Sequence, residues 1–192
     1  MKSILAILAC GFVCVFVSAP AAQAQTAAAP AAAQVAGPVK DPVSTALRGM
    51  LARSRGNTLG AISAMPADKF NYKPTPDQMT FGHLVVHMIG FNNSFCAKAA
   101  AVAEPKVEEA KETDSKEKLL AAATASYDFC GETLGKMDDS KLGDSIELFG
   151  GRQGPRATAA LILASGWADH YSTAAIYLRL NGLLPPSAQP KK

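Results

Sequence analysis

Residues 155–186 read PRATAALILASGWADHYSTAAIYLRLNGLLPP, and this stretch decides the fold. Pro155 suits the first turn of a helix, where a missing N–H costs nothing, while Asn181-Gly182 close that helix and Pro185-Pro186 stop it. Between Ala157 and Leu180 apolar residues fall on most sides of the cylinder instead of along one stripe. A helix of that kind needs neighbours on several faces, so the rest of the chain must supply packing partners.

Working back towards the start, three further helices can be read. Asp41-Pro42 is a cap followed by a first-turn proline, and Val43, Leu47, Met50, Leu51, Leu59, Ile62 and Met65 keep helical spacing despite Gly49, Gly56 and Gly60. Pro66, Pro74 and Pro76 make 66–79 an extended connection. Thr80 caps a second helix whose face carries Phe81, Leu84, Val85, Met88, Phe91 and Phe95 and which ends near Val102. Residues 104–118 are rich in acids and lysines, with almost nothing apolar, and read as a solvated crossover. Asp114 and Glu117 resemble a capping box for a third helix through Leu119, Leu120, Ala123, Tyr127, Cys130 and Leu134 to about Met137. A Gly- and Ser-rich loop over 138–154, with a short extended piece around Ile146–Phe149, leads back to Pro155. Four helices with one long crossover between the second and third predict an all-α four-helix bundle.

Length and charge agree with one such domain. The chain has 192 residues, 48% hydrophobic and 18% charged, with a formal charge of +3. That suits one sizeable core and excludes both a disordered polyelectrolyte and a strongly basic nucleic-acid binder. Met1-Lys2, the apolar run Ile4–Val17 and the small-x-small site Ala22-Gln23-Ala24 read as an export signal over 1–24. The alternative, a retained anchor, is disfavoured because the run is shorter than the roughly 20 residues a spanning helix wants. An Ala/Pro-rich linker follows over 25–40, then the helical domain over 41–187 and a tail over 188–192. The protein is expected to be periplasmic or secreted, with no membrane span after cleavage. Cys10 and Cys14 leave with the signal, so Cys96 and Cys130 remain for an oxidising compartment. They read either as one disulfide or as two buried thiols.

The chain has three histidines. His83 and His87 lie four apart on helix two and point to one side, and His170 lies mid-helix four, so facing helices could bring them to one metal ion. Equally, His83 can be a solvated first-turn residue and His170 a core histidine bonded to a neighbour. No HExxH, no Glu three residues before a His, no CxxCH and no GxSxG is present. The Gly150–Arg156 stretch could cradle an anion at a helix start, but a plain turn with solvated arginines is the better account. Glu147 and Asp169 are the acids that could act as a general base, and the spacing singles out neither.

The segment Thr80-Phe81-Gly82-His83-Leu84-Val85-Val86-His87, the pairs Phe95-Cys96 and Phe129-Cys130, and the end motif from His170-Tyr171-Ser172 to Pro185-Pro186-Ser187 resemble the DinB-like superfamily. The resemblance spans roughly 41–187. It implies a four-helix bundle with a long crossover, often homodimeric, and a divalent ion such as zinc or nickel held by one histidine of helix two and an HxxxH pair on the last helix. By position those ligands fall on His87 and His170, while the first member of the pair falls on Gly166, which has no ligand atom. Either His83 completes a rearranged set or the site has lapsed; if the family geometry persists, a histidine at 166 should restore the third ligand.

Two functions follow as expectations. One is an exported, divalent-metal-dependent hydrolase or transferase relative acting on a small molecule. The other is a non-catalytic bundle with a lapsed metal site that binds a partner or a small apolar ligand. Thiol-cofactor chemistry, which the resemblance also implies, suits an exported protein poorly because such cofactors are cytosolic.

Overall fold

The computed structural model describes residues 37–190. The export signal, residues 25–36 of the linker and Lys191-Lys192 lie outside the described residues. Four helices carry the fold: α1 Pro42–Ala64, α2 Phe81–Ala100, α3 Lys116–Gly135 and α4 Arg156–Leu180. A two-stranded antiparallel hairpin, β1 Ser145–Glu147 and β2 Gln153–Pro155, sits between α3 and α4 with Ile146 opposite Gly154.

α2 packs on α3 and α4, and α1 packs on the same two helices. The crossover 101–115 runs back along α2, because Glu112 returns to hydrogen-bond Thr80 beside the start of α2. α3 therefore starts where α2 starts, and its Lys116 ammonium donates to the carbonyls of Ser63 and Met65 at the end of α1. The helices run up, down, down, up. An apolar cluster at one end joins Ile62, Met65, Phe81, Leu84, Leu119 and Tyr177, and one at the other joins Leu51, Phe95, Leu134, Leu163 and Trp167. Between them lies a buried polar waist. Trp167 Nε1 donates to Asn92 Oδ1 at 2.9 Å, Asn92 Nδ2 donates to Ser126 Oγ at 3.1 Å, and the Ser54 and Tyr127 hydroxyls pair at 2.8 Å.

Helix starts depart from the sequence expectation in three places, each for a local reason. Asp41 adopts a left-handed conformation and leaves α1 uncapped by its own side chain. The cap comes from Asp139, whose carboxylate accepts the Val43 and Ser44 N–H groups at 2.8 Å each, 96 and 95 residues away. α3 is capped by Ser115, which accepts from Lys118 N, whereas Asp114 accepts from Lys111 N and pairs with the Lys118 ammonium. Pro155 is at once the last residue of β2 and the N-cap of α4, one position before the helix proper, and the Asp144 and Leu142 carbonyls accept the Arg156 and Ala157 N–H groups. The Gly150–Arg156 stretch supplies the hairpin turn at Gly150 and Gly151, both at positive φ, then β2, and ends in Arg156, which pairs with Asp144.

Cys96 and Cys130 form a disulfide between α2 and α3, with Cα atoms 5.2 Å apart. It ties the last turns of α2 to the second half of α3, closing the chain loop that contains the crossover.

Candidate functional site

The site lies where α2 meets α4. His87 is exposed on α2 and His170 is buried on α4, since α4 is apolar on most sides and turns this face towards α2. Their Nε2 atoms are 3.1 Å apart and their rings stand edge to face, with centroids 4.8 Å apart. One Nε2 carries a proton and the other accepts it. Burial, reinforced by any charge on His87 and opposed by Asp169, pushes the His170 pKa down to about 4, so this imidazole is neutral near pH 7.

Phe91, one turn beyond His87, completes the surroundings. Its ring centroid is 4.6 Å from that of His170 and 4.8 Å from that of Phe95. Gly166, one turn before His170, faces that ring. A Cβ at 166 would lie 2.2 Å from Phe91 Cζ and within 2.9 Å of two more ring atoms, closer than any real contact allows. Phenylalanine fills the volume that a side chain at 166 would need. A histidine at 166 would therefore require the Phe91 ring to move aside before it could reach an ion.

His83 is not brought to this pair. Its Nδ1 faces Glu112 Oε2 at 3.5 Å, both side chains are exposed, and its N–H donates to the Thr80 hydroxyl. The Thr80–His83 part of the quoted segment serves the crossover. Gly82 N donates to the Phe70 carbonyl, and a Cβ at Gly82 would come within 2.7 Å of the Glu112 carbonyl oxygen. Glu147 is exposed on the hairpin, near Lys98 at the far end of α2, while Asp169 is exposed beside His170.

Two nitrogens 3.1 Å apart could share an ion at 2.0–2.1 Å from each. A third protein donor is what fails. Among the described residues no three His, Cys, Asp or Glu side chains group to hold an ion, residue 166 has no side chain, and Phe91 occupies its place. The donor set does not fit a three-histidine centre. Sequence reasoning missed Phe91 because it reads as one more apolar residue of α2; the usable signal was its position four after His87, opposite a glycine four before His170.

The bundle with its long crossover and the histidines of α2 and α4 define a DinB-like fold, and the sequence agrees. The pattern of the DinB superfamily matches residues 50–174, more than half of the chain, and the chain belongs to that family. Its fold is similar to a DinB-like protein of Bacillus subtilis, at 19% identity and a TM-score of 0.60 over 76% of this chain and 99% of that one. It is also similar to a DinB-like protein of Bacillus cereus, at 15% identity and a TM-score of 0.61 over 74% of this chain and 95% of that one. No curated protein matches the sequence. Among the described residues no helix is long and apolar enough to cross a membrane.

Proposed function

We propose that the chain is an exported DinB-like bundle whose metal centre has lapsed, and that it works by binding a small, largely apolar ligand or a partner without metal-dependent chemistry. The observation that carries this reading is the Phe91 ring lying where a Cβ of residue 166 would be. A lost ligand whose space stands open can be regained by one substitution; here a rigid ring occupies the space and packs on His170. The remaining histidines satisfy each other across 3.1 Å and need no ion to do so. The Cys96–Cys130 disulfide supports export, since such bonds persist in oxidising compartments.

Zinc and nickel titration of the full chain, read by calorimetry and by metal content after dialysis, tests the reading. Retention below stoichiometric is expected. One equivalent of zinc retained by the wild type and lost in both His87→Ala and His170→Ala would overturn it. That outcome would favour the second reading, a metal-dependent hydrolase or transferase, for which the Nε2 spacing is the supporting observation.

A further inference from the structure

α1 and α4 do not close on each other along their middle. Met50, Arg53 and Asn57 on α1 face Ala164, Trp167 and Ala168 on α4 across a cleft of about 390 Å³. On α1 the steps are three and four residues, and on α4 Trp167 and Ala168 follow Ala164 by three and four, so each set forms one face. The hollow has a simple cause: Ala164 and Ala168 present only methyl groups where α1 turns towards them. One end is closed by the chain's last turn, held by Tyr171, whose hydroxyl pairs with Ser187 Oγ at 2.7 Å and accepts the Ser187 N–H at 2.8 Å. Neither His87 nor His170 lines this cleft. Its volume falls in the range of small-molecule sites.

The polar groups in the walls sort into committed and free. Trp167 Nε1 is engaged by Asn92 and Ser54 Oγ by Tyr127, so the wall around the indole offers hydrocarbon. Among the described residues the exposed Arg53 guanidinium makes no ion pair or hydrogen bond, and neither does the Asn57 amide one turn on. No carboxylate lines the cleft. One fixed positive charge beside an amide donor, at the rim of an apolar trough, matches a single planar carboxylate attached to an apolar body. A dianion would bring more charge than one guanidinium neutralises, and a neutral hydrocarbon would make no use of the Arg53–Asn57 end of the trough.

We infer that this cleft binds a small organic monocarboxylate, its carboxylate on Arg53 and Asn57 and its aromatic or branched body against Trp167, Ala164 and Ala168. The inference rests on the binding reading above and gives it a site and a ligand class.

Trp167 is the sole tryptophan of the chain, so its fluorescence, excited where a phenyl ring does not absorb, reports the cleft. The full chain is titrated with 4-phenylbutyrate and with the neutral 4-phenylbutanamide. A saturable change with the acid is expected, at least about tenfold weaker with the amide, because the charge-assisted pair with Arg53 is lost. Arg53→Gln, at an exposed position, should weaken the acid by a similar factor and leave the amide unchanged. Ala168→Leu, which fills the trough from an exposed position, should abolish both. Equal affinity for acid and amide, indifference of the acid to Arg53→Gln, or no saturation up to about 10 mM acid, a regime weaker than any specific site, would each overturn the proposal. Since no cleft residue takes part in the zinc titration, tight zinc binding would sink the lapsed-centre reading and leave the fluorescence result to decide the cleft by itself.

Discussion

Gly166→Ala is the perturbation whose sign separates a packed site from an open one. At an ordinary mid-helix position, alanine in place of glycine stabilises by about 0.5–1 kcal/mol, because glycine loses more backbone entropy on folding. At 166 the new methyl would start 2.2 Å from Phe91 Cζ, with two further ring atoms at 2.7 and 2.9 Å. The ring cannot slide along the groove, because His170 and Phe95 hold it at centroid distances of 4.6 and 4.8 Å. It must swing towards solvent and lose those contacts, or α4 must retreat from α2. Overpacking of this kind costs about 1–3 kcal/mol, so the net change should be a loss of up to about 2.5 kcal/mol in place of a gain. In a Phe91→Ala background the same substitution should instead stabilise by about 0.5–1 kcal/mol. Urea denaturation of the four proteins of the cycle, with the disulfide intact, measures this. If Gly166→Ala stabilises the wild type as much as it stabilises the Phe91→Ala protein, the ring does not occupy the space and the steric account of the lapsed site is wrong. By the same logic Gly166→His alone should not raise zinc affinity, whereas Gly166→His with Phe91→Ala should.

Gly82→Ala should destabilise by about 1–3 kcal/mol, against alanine's better helix propensity, because its Cβ would meet the Glu112 carbonyl at 2.7 Å; thermal melts show the loss, and faster proteolysis within 101–115 localises it. Reducing Cys96–Cys130, separated by 34 residues, should remove on the order of 3–4 kcal/mol by freeing the unfolded chain, and unchanged urea midpoints with and without reductant would refute this. Because the folded His170 titrates near 4 and an unfolded histidine near 6.5, the unfolded state takes up the proton first as pH falls. Stability should therefore decline from about pH 6.5 down to about pH 4, by on the order of 1–3 kcal/mol after allowance for solvent screening, and His170→Gln should flatten that part of the curve. A wild-type curve parallel to the variant's over that interval would show that His170 is not held neutral by the fold.

The four helices were legible because each carries enough apolar residues at helical spacing, and Pro66, Pro74, Pro76 and the charged 104–118 stretch punctuate them cleanly. Caps were read less well, for a physical reason. An N-cap needs only an oxygen at the right place, and Asp139 supplies it to α1 from 95 or 96 residues away, which no local pattern reveals. The same holds for the hairpin: Gln153–Pro155 forms a strand because Ser145–Glu147 lies beside it, while the three residues taken alone favour no strand. At the site, helical faces grouped His83 and His87 with His170, and it was the likeness to the family that singled out His87 and His170. The position of His83 was not legible, because it depends on Glu112 in a crossover whose path has no periodicity.

The quoted Thr80–His87 segment shows how far likeness to a family reaches. Thr80 caps α2, Gly82 lets the crossover pass over the helix start, and His83 faces Glu112; all three serve the return of the chain from α2 to α3. Phe81 packs on Tyr177 of α4 as part of the core, and of the two histidines in that segment only His87 meets His170. A sequence can keep most of the pattern because the fold requires it, while the metal chemistry that the resemblance implies would hang on His87, on His170 and on whatever stands at 166. Here the 166 position is glycine, and its volume has passed to Phe91 on the facing helix. The buried His170 imidazole then needs a hydrogen-bonding partner if it is not to be stranded, and His87 meets that need at 3.1 Å. A pair closed in this way needs no ion to satisfy its nitrogens, which is what the proposed lapse of the metal centre requires.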